Sequence, residues 1–196
     1  MKNEVLVAGT IVSAPTYKYT EGIHLPHPYI GISTSRLSGV SDIVNVFIPS
    51  AEISNIHIGD KIALSGYLCS VNARNEYGTS RLLPFVNGVQ ILPYQRDENK
   101  IDIEAYICDK VILRETPLGK QICDVMIVIT NEQMRSAYIP SIAWGDRAAQ
   151  IPGMKKHTKV MVHGRMQSRQ YTQRRETCEY MRTINELSIQ FIKEIS

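Results

Sequence analysis

The ten residues HTKVMVHGRM (His157–Met166) decide the reading of the chain, because GDKIALSGYL (Gly59–Leu68) repeats their pattern 98 residues earlier. Lys61, Ile62, Leu64, Gly66 and Leu68 fall on Lys159, Val160, Val162, Gly164 and Met166. A second pair, NEVLVAGTIV from Asn3 and NKIDIEAYIC from Asn99, sets Val5, Val7 and Ile11 on Ile101, Ile103 and Ile107 at an offset of 96. Two anchors with nearly the same offset mark a duplicated unit of just under a hundred residues. The tripeptide IPS, at 48–50 and again at 139–141, is out of step with both and is coincidence.

Within each copy, apolar residues recur at every second position, β-branched residues are abundant and long 3.6-residue periods are missing, so the elements are strands. The first copy predicts strands near 4–12, 28–35, 43–49, 60–71 and 80–92, and the second near 100–108, 121–130, 137–144, 158–171 and 180–192. Turn material separates them, including TPLG and TQRRETC. Only WGDRAAQIP, closed by Pro152 and Gly153, reads as helix, and it falls between the third and fourth strands of its copy. Five strands with a short helix or turn between strands 3 and 4 is the layout of the OB-fold, a small Greek-key barrel. The expected fold is therefore all-β, with two tandem OB-folds; a β-sandwich is the competing arrangement. The polar connector LPYQRDENK (Leu92–Lys100) divides the chain into residues 1–96 and 97–196.

A chain of 196 residues with 43% hydrophobic content can bury a core in one large or two small domains. No apolar run reaches the roughly 18 residues of a membrane helix. MKNEVLVAGTIVSAP carries an acid at Glu4 and alternates, so it reads as a strand and not a secretion signal. Cys69, Cys108, Cys123 and Cys178 are scattered without a CxxC pair, which fits reduced thiols in the cytoplasm. His24 and His27 form an HxxH pair with no third ligand nearby, so neither metal nor cofactor is expected. Nothing in the sequence matches a P-loop, a GxSxG elbow, an HExxH helix or a clustered acid pair, and no catalysis is expected.

Charge is unevenly spread. The formal net charge is +3, yet residues 154–182 hold eight cations against Glu176 and Glu179, a local excess of +6. Lys159, Met161, His163, Arg165, Gln167, Arg169 and Tyr171 share one side of the fourth strand, opposite Val160, Val162, Gly164 and Met166. A cationic row ending in an aromatic ring points to a polyanion carried on one surface, although a charge run can also be a solvated face.

SIAWGDRAAQ, KKHTKVMVHGRMQSRQY, EYMRTI and LSIQFI, taken in order, resemble the bacterial single-stranded DNA-binding protein family over most of residues 100–192. Trp144, Gly145, Ala148, Val160, Val162, Gly164, Arg169 and Tyr171 occupy matching positions; the first copy is divergent. The resemblance implies an OB-fold that holds a single strand by stacking bases on aromatic rings while basic side chains follow the phosphates. It places Tyr138, Trp144 and Tyr171 at stacking positions, with Lys159, Arg165 and Arg169 beside them. Lys155, Lys156, Arg174 and Arg175 are loop cations in reach of such a strand. A further stacking aromatic of the family has no counterpart in TNEQMRSAY, where Met134 and Arg135 stand; Arg135 is the substitute. In the first copy Arg74 and Tyr77 are the candidates, and that copy either binds less strongly or serves as a structural and oligomerisation partner. Trp144 has a second reading as a core residue.

The sequence ends at SIQFIKEIS without the acidic tail of the family, so recruitment of replication proteins by that route is not expected. Four barrels would be reached by a homodimer of this chain. The leading expectation is sequence-tolerant binding of single-stranded DNA in replication, recombination or repair. The alternatives are a primosome-like or mobile-element accessory module acting through protein contacts, and an RNA-binding OB protein.

Overall fold

The computed structural model describes residues 1–18, 23–74, 80–130, 135–175 and 178–196, with the backbone alone at 50, 73–74, 80, 109–110, 171–175 and 178–182. The first copy contains β1 (Asn3–Ile11), β2 (Thr16–Lys18), β3 (His24–Ser35), β4 (Ser41–Phe47), β5 (Lys61–Arg74) and β6 (Ser80–Leu92). The second contains β7 (Glu98–Glu115), β8 (Gln121–Thr130), β9 (Ser136–Trp144), the helix α1 (Asp146–Gln150), β10 (Lys159–Arg175) and β11 (Cys178–Glu194). The pairings close two rings. The first runs β1-β3-β4-β6-β5 and back to β1; the second runs β7-β8-β9-β11-β10 and back to β7. Each ring has one parallel contact, β4 with β6 and β9 with β11, where the third barrel strand meets the fifth and closes the five-stranded ring. A 3-10 turn (Ser50–Asn55) or α1 with the 3-10 turn Ile151–Gly153 lies between the third and fourth barrel strands. The fold is two tandem OB barrels and not a sandwich. Among the described residues, no helix is long and apolar enough to cross a membrane.

The two barrels share one sheet. β1 and β7 pair antiparallel, from Asn3 opposite Ile103 to Ala8 opposite Glu98. Inward-facing Val5, Val7 and Ile11 of β1 and Ile101, Ile103 and Ile107 of β7 belong to one apolar cluster spanning both barrels. Alternation predicts this, since a strand with one wet face must direct every second side chain to the core.

The repeat extends to individual hydrogen bonds. Asn3 donates from Nδ2 to the Leu68 carbonyl at 2.9 Å and accepts from the Leu68 amide at 2.9 Å. Asn99 does the same to Met166, at 2.8 and 2.9 Å. In both barrels a carboxamide imitates a strand residue, satisfying β-ladder groups where strand 1 leaves strand 4. The loop before strand 4 docks on strand 1 in both copies: Gly59 and His157 donate to the carbonyls of Ile11 and Ile107 at 2.9 Å. Both adopt the left-handed region, at φ of 95° and 64°. Gly66 and Gly164 lie in strand 4 opposite bulges in strand 5, where Val89 and Gln190 are the extra residues, and an added Cβ would collide with the carbonyl oxygens of Asn87 and Ser188. The glycines predicted to permit tight coiling thus also permit a close backbone approach.

The boundaries differ from expectation in three places. β2 is a short extra strand between the first two predicted ones. β7 continues to Glu115 across a bulge between Ile107 and Val111. TQRRETC is not a turn: β10 runs through Arg175 and pairs it with Cys178, so only two residues join β10 to β11. The polar composition of this arm hides the strand period.

Barrel 1 carries a second apolar cluster on its outer wall. Phe47 of β4 and Phe85 of β6 stack with centroids 4.3 Å apart, Tyr29 meets Phe85 edge-on, and Ile23, Leu25 and Leu83 close around them.

Candidate nucleic-acid interface

On barrel 2 the corresponding outer wall is open. β9 directs Tyr138, Pro140, Ile142 and Trp144 outward. Ile142 is fully buried, whereas Tyr138 and Trp144 are 48% and 37% exposed. Six strand residues separate the two rings by about 20 Å along β9. Trp144 lies outside both apolar clusters, so packing in a core does not account for it. Between the rings lies a shallow groove of about 290 Å³ with walls from Ile112, Met126, Pro140 and Ile184, and with Asp124 and Glu186 set into it. Apolar walls with a few fixed polar groups suit the face of a base.

The cationic row of β10 is present but already matched by acids. Lys159 pairs with Glu104 at 3.4 Å, His163 with Asp102, Arg165 with Asp42, and Arg169 with Glu186 at 2.9 Å. Asp42 is fully buried. It also binds Arg36 at 2.5 Å and accepts from the Ser168 amide at 3.1 Å. Arg165, expected in water, has only 17% of its side chain exposed, and Gln167 beside it is buried. Burial pulls the Arg165 guanidinium below its ordinary value, against the attraction of Asp42. The row divides at Gly164, where β10 ends its pairing with β7: Lys159 and His163 face the acids of β7, while Arg165 turns into the seam between the barrels.

Arg169 remains at the groove. Its side chain is 41% exposed and reaches Glu186, which also accepts from Gln167 at 3.1 Å. Burial raises the Glu186 carboxyl, with Arg169 acting in the opposite direction. Arg114 of β7 holds Asp124 through two bonds of 2.5 and 3.1 Å on the other wall. The Arg114–Asp124 pair is partly exposed and such a pair is worth little to stability, so its guanidinium can exchange a carboxylate for a phosphate at small cost. Glu186 is buried, so Arg169 must serve a phosphate while keeping its carboxylate.

The remaining candidates are dispersed. Lys155 and Lys156 are exposed in the loop entering β10. Arg135 is exposed just before β9, at a cleft between the barrels. Tyr171, Arg174 and Arg175 lie on the β10 arm, but their side chains, with that of Arg74, lie outside the described residues, as does Tyr77 altogether. Among the described residues no group of His, Cys, Asp or Glu is placed to hold a metal; His27 instead meets Phe47 edge-on. Sequence reasoning missed Arg114, Asp124 and Glu186. The signal available was an acid set among apolar residues, Asp124 in β8 and Glu186 in the second half of β11.

No curated protein matches the sequence. Residues 98–192 match the Single-strand binding protein family. The fold of the whole chain is similar to the wild-type single-stranded DNA binding protein from Thermus aquaticus, at 17% identity and a TM-score of 0.70, covering 100% of this chain and 93% of that one. A deletion variant of the same protein gives 18% identity and 0.71, covering 100% and 95%. The second barrel is thus the part of the chain whose sequence is similar to the Single-strand binding protein family, while the likeness of the whole chain is one of fold.

Proposed function

We propose that the chain binds single-stranded DNA without sequence preference, laying bases on Tyr138 and Trp144 across the barrel 2 groove while Arg169 meets the phosphates. The observation that carries this reading is the pair of exposed aromatic rings along β9, beside an open groove, on a barrel whose sequence is similar to the Single-strand binding protein family. Stacking contributes about 1–3 kcal/mol per base and tolerates any base, because each has a π face. We read residues 1–96 and 97–196 as the two units, a homodimer as the assembly that yields four barrels, and replication, recombination or repair in a bacterial cytoplasm as the setting.

Trp144 is the sole tryptophan, so its emission reports on the groove directly. Titration with oligo-dT quenches it, and the quenching weakens as salt rises. Unchanged emission with no mobility shift at low salt would overturn the reading. A second reading, a module working mainly through protein contacts, draws support from the acids that face every cation of β10 from Lys159 to Arg169. It predicts feeble oligonucleotide affinity even at low salt.

A further inference from the structure

The two barrels meet along two seams that the internal repeat makes equivalent, and the seams differ. In each, the hairpin joining strands 2 and 3 of one barrel leans on strand 4 of the other. In the first seam the β3–β4 hairpin lies on β10. Asp42 binds Arg165 and the Ser168 amide, the Ile43 amide donates to Ser168 Oγ at 2.8 Å, and Asn99 donates to Thr34 Oγ1 at 3.1 Å. Polar groups close this seam from end to end.

The second seam places the β8–β9 hairpin near β5. Its register makes Ile129 the equivalent of Thr34 and Ala137 the equivalent of Asp42; on the strand, Tyr67 replaces Arg165 and Ser70 replaces Ser168. None of the first seam's bonds from Asp42 or Thr34 can form with Ala137 and Ile129. An open cleft of about 400 Å³ stands there instead. Tyr67, 43% exposed, lies at its side with the His27 ring and the edge of the Phe47 stack. Asn87 supplies a carboxamide, Arg135 a charge at the rim, and no acid is among the described lining residues.

We infer that this cleft is a second stop for the same DNA strand, taking a base against Tyr67 and His27 with its phosphate toward Arg135. The inference rests on the proposed function. Three features select a nucleotide: planar rings beside an amide that can meet a base edge, an exposed arginine at the rim, and continuity with the groove. Ser136 and Ala137 line the cleft, and Tyr138, the next residue along β9, opens the platform that ends at Trp144. A strand following β9 away from Trp144 therefore arrives at the seam.

The test uses the full chain with two oligo-dT lengths: about 8 nucleotides, within the span of one barrel, and about 30, enough for both. The Tyr67→Ala/His27→Ala variant alters side chains at the surface, and circular dichroism and a melting curve check its fold. Trp144 quenching by the short oligonucleotide is expected to stay within about twofold of the parent, while the long one binds about 5- to 30-fold more weakly. Photocrosslinking from 5-iodouracil in the long oligonucleotide is expected to label Tyr67. An unchanged affinity for the long oligonucleotide, or an equal loss for both lengths, overturns the seam site and leaves the groove reading standing. Failure of the parent chain to bind either length overturns the proposed function and this inference with it.

Discussion

At four equivalent positions barrel 1 carries Tyr67, Cys69, Val71 and Phe85 where barrel 2 carries Arg165, Gln167, Arg169 and Glu186. In the first set Cys69, Val71 and Phe85 belong to the aromatic plug on the outer wall while Tyr67 stands at the cleft. The other set forms a hydrogen-bonded polar chain beside an open groove. The inward residues of the same strands are nearly interchangeable, because both barrels need branched aliphatic side chains at the same depth. A closed barrel constrains its interior through packing and leaves its exterior free to differ. In barrel 1 that freedom has produced a filled wall, and burial has pushed the Cys69 thiol up to about 12. In barrel 2 it has left a surface that can be wetted.

The largest expected effect breaks the difference between the seams. Asp42→Ala strands two guanidinium groups, Arg36 and Arg165, against a site that loses its buried carboxylate, which costs about 3–5 kcal/mol. The melting temperature should fall by many degrees, whereas Ala137→Ser at the equivalent position should leave it nearly unchanged. Similar melting for both variants would mean that the closed seam is not the stronger joint.

A smaller effect sharpens the similarity. Asn3→Ala and Asn99→Ala each remove a carboxamide that completes a ladder, at about 1–3 kcal/mol. Chemical denaturation should find Asn99→Ala somewhat the worse, since Asn99 also donates to Thr34 across the closed seam. The reverse order would contradict that reading of the seams.

The smallest effect tests the polar chain of barrel 2. Glu186→Gln frees Arg169 and should tighten oligo-dT binding about threefold, with a salt slope steeper by about one. Burial raises the Glu186 carboxyl, so the folded state retains a proton that the unfolded chain has released. That contribution is complete below about pH 4.3, the ordinary glutamate value, and is lost as pH rises through the elevated one. The Gln variant should therefore lose less stability between mildly acidic and neutral pH. Identical pH profiles would exclude Glu186 as the group responsible.

Much of the architecture was legible in alternation and repeat alone. The ten barrel strands, α1 and both strand-4 glycines follow from local pattern, because a barrel wall imposes a period of two wherever it is pleated. The arm of β10 and β11 was not legible, since its run of polar residues carries no such period. The site was legible in part. Tyr138 and Trp144, expected from the resemblance to be stacking rings, are exposed on β9, yet the state of the cations could not be read along their own strand. The acid that holds Arg165 is 123 residues away in the other barrel, and neither composition nor spacing records such a pairing. The aromatic plug is equally non-local, assembled from single residues of β3, β4 and β6.

The antiparallel joining of β1 to β7 has one more consequence. When two separate copies of a subunit meet about a twofold axis, every substitution occurs twice, and neither side of the contact can change alone. Here both partners are written into a single polypeptide, so a change such as alanine for aspartate can alter one junction and spare its mirror image. The two halves are always made together in equal number, and each is free to take up a separate task.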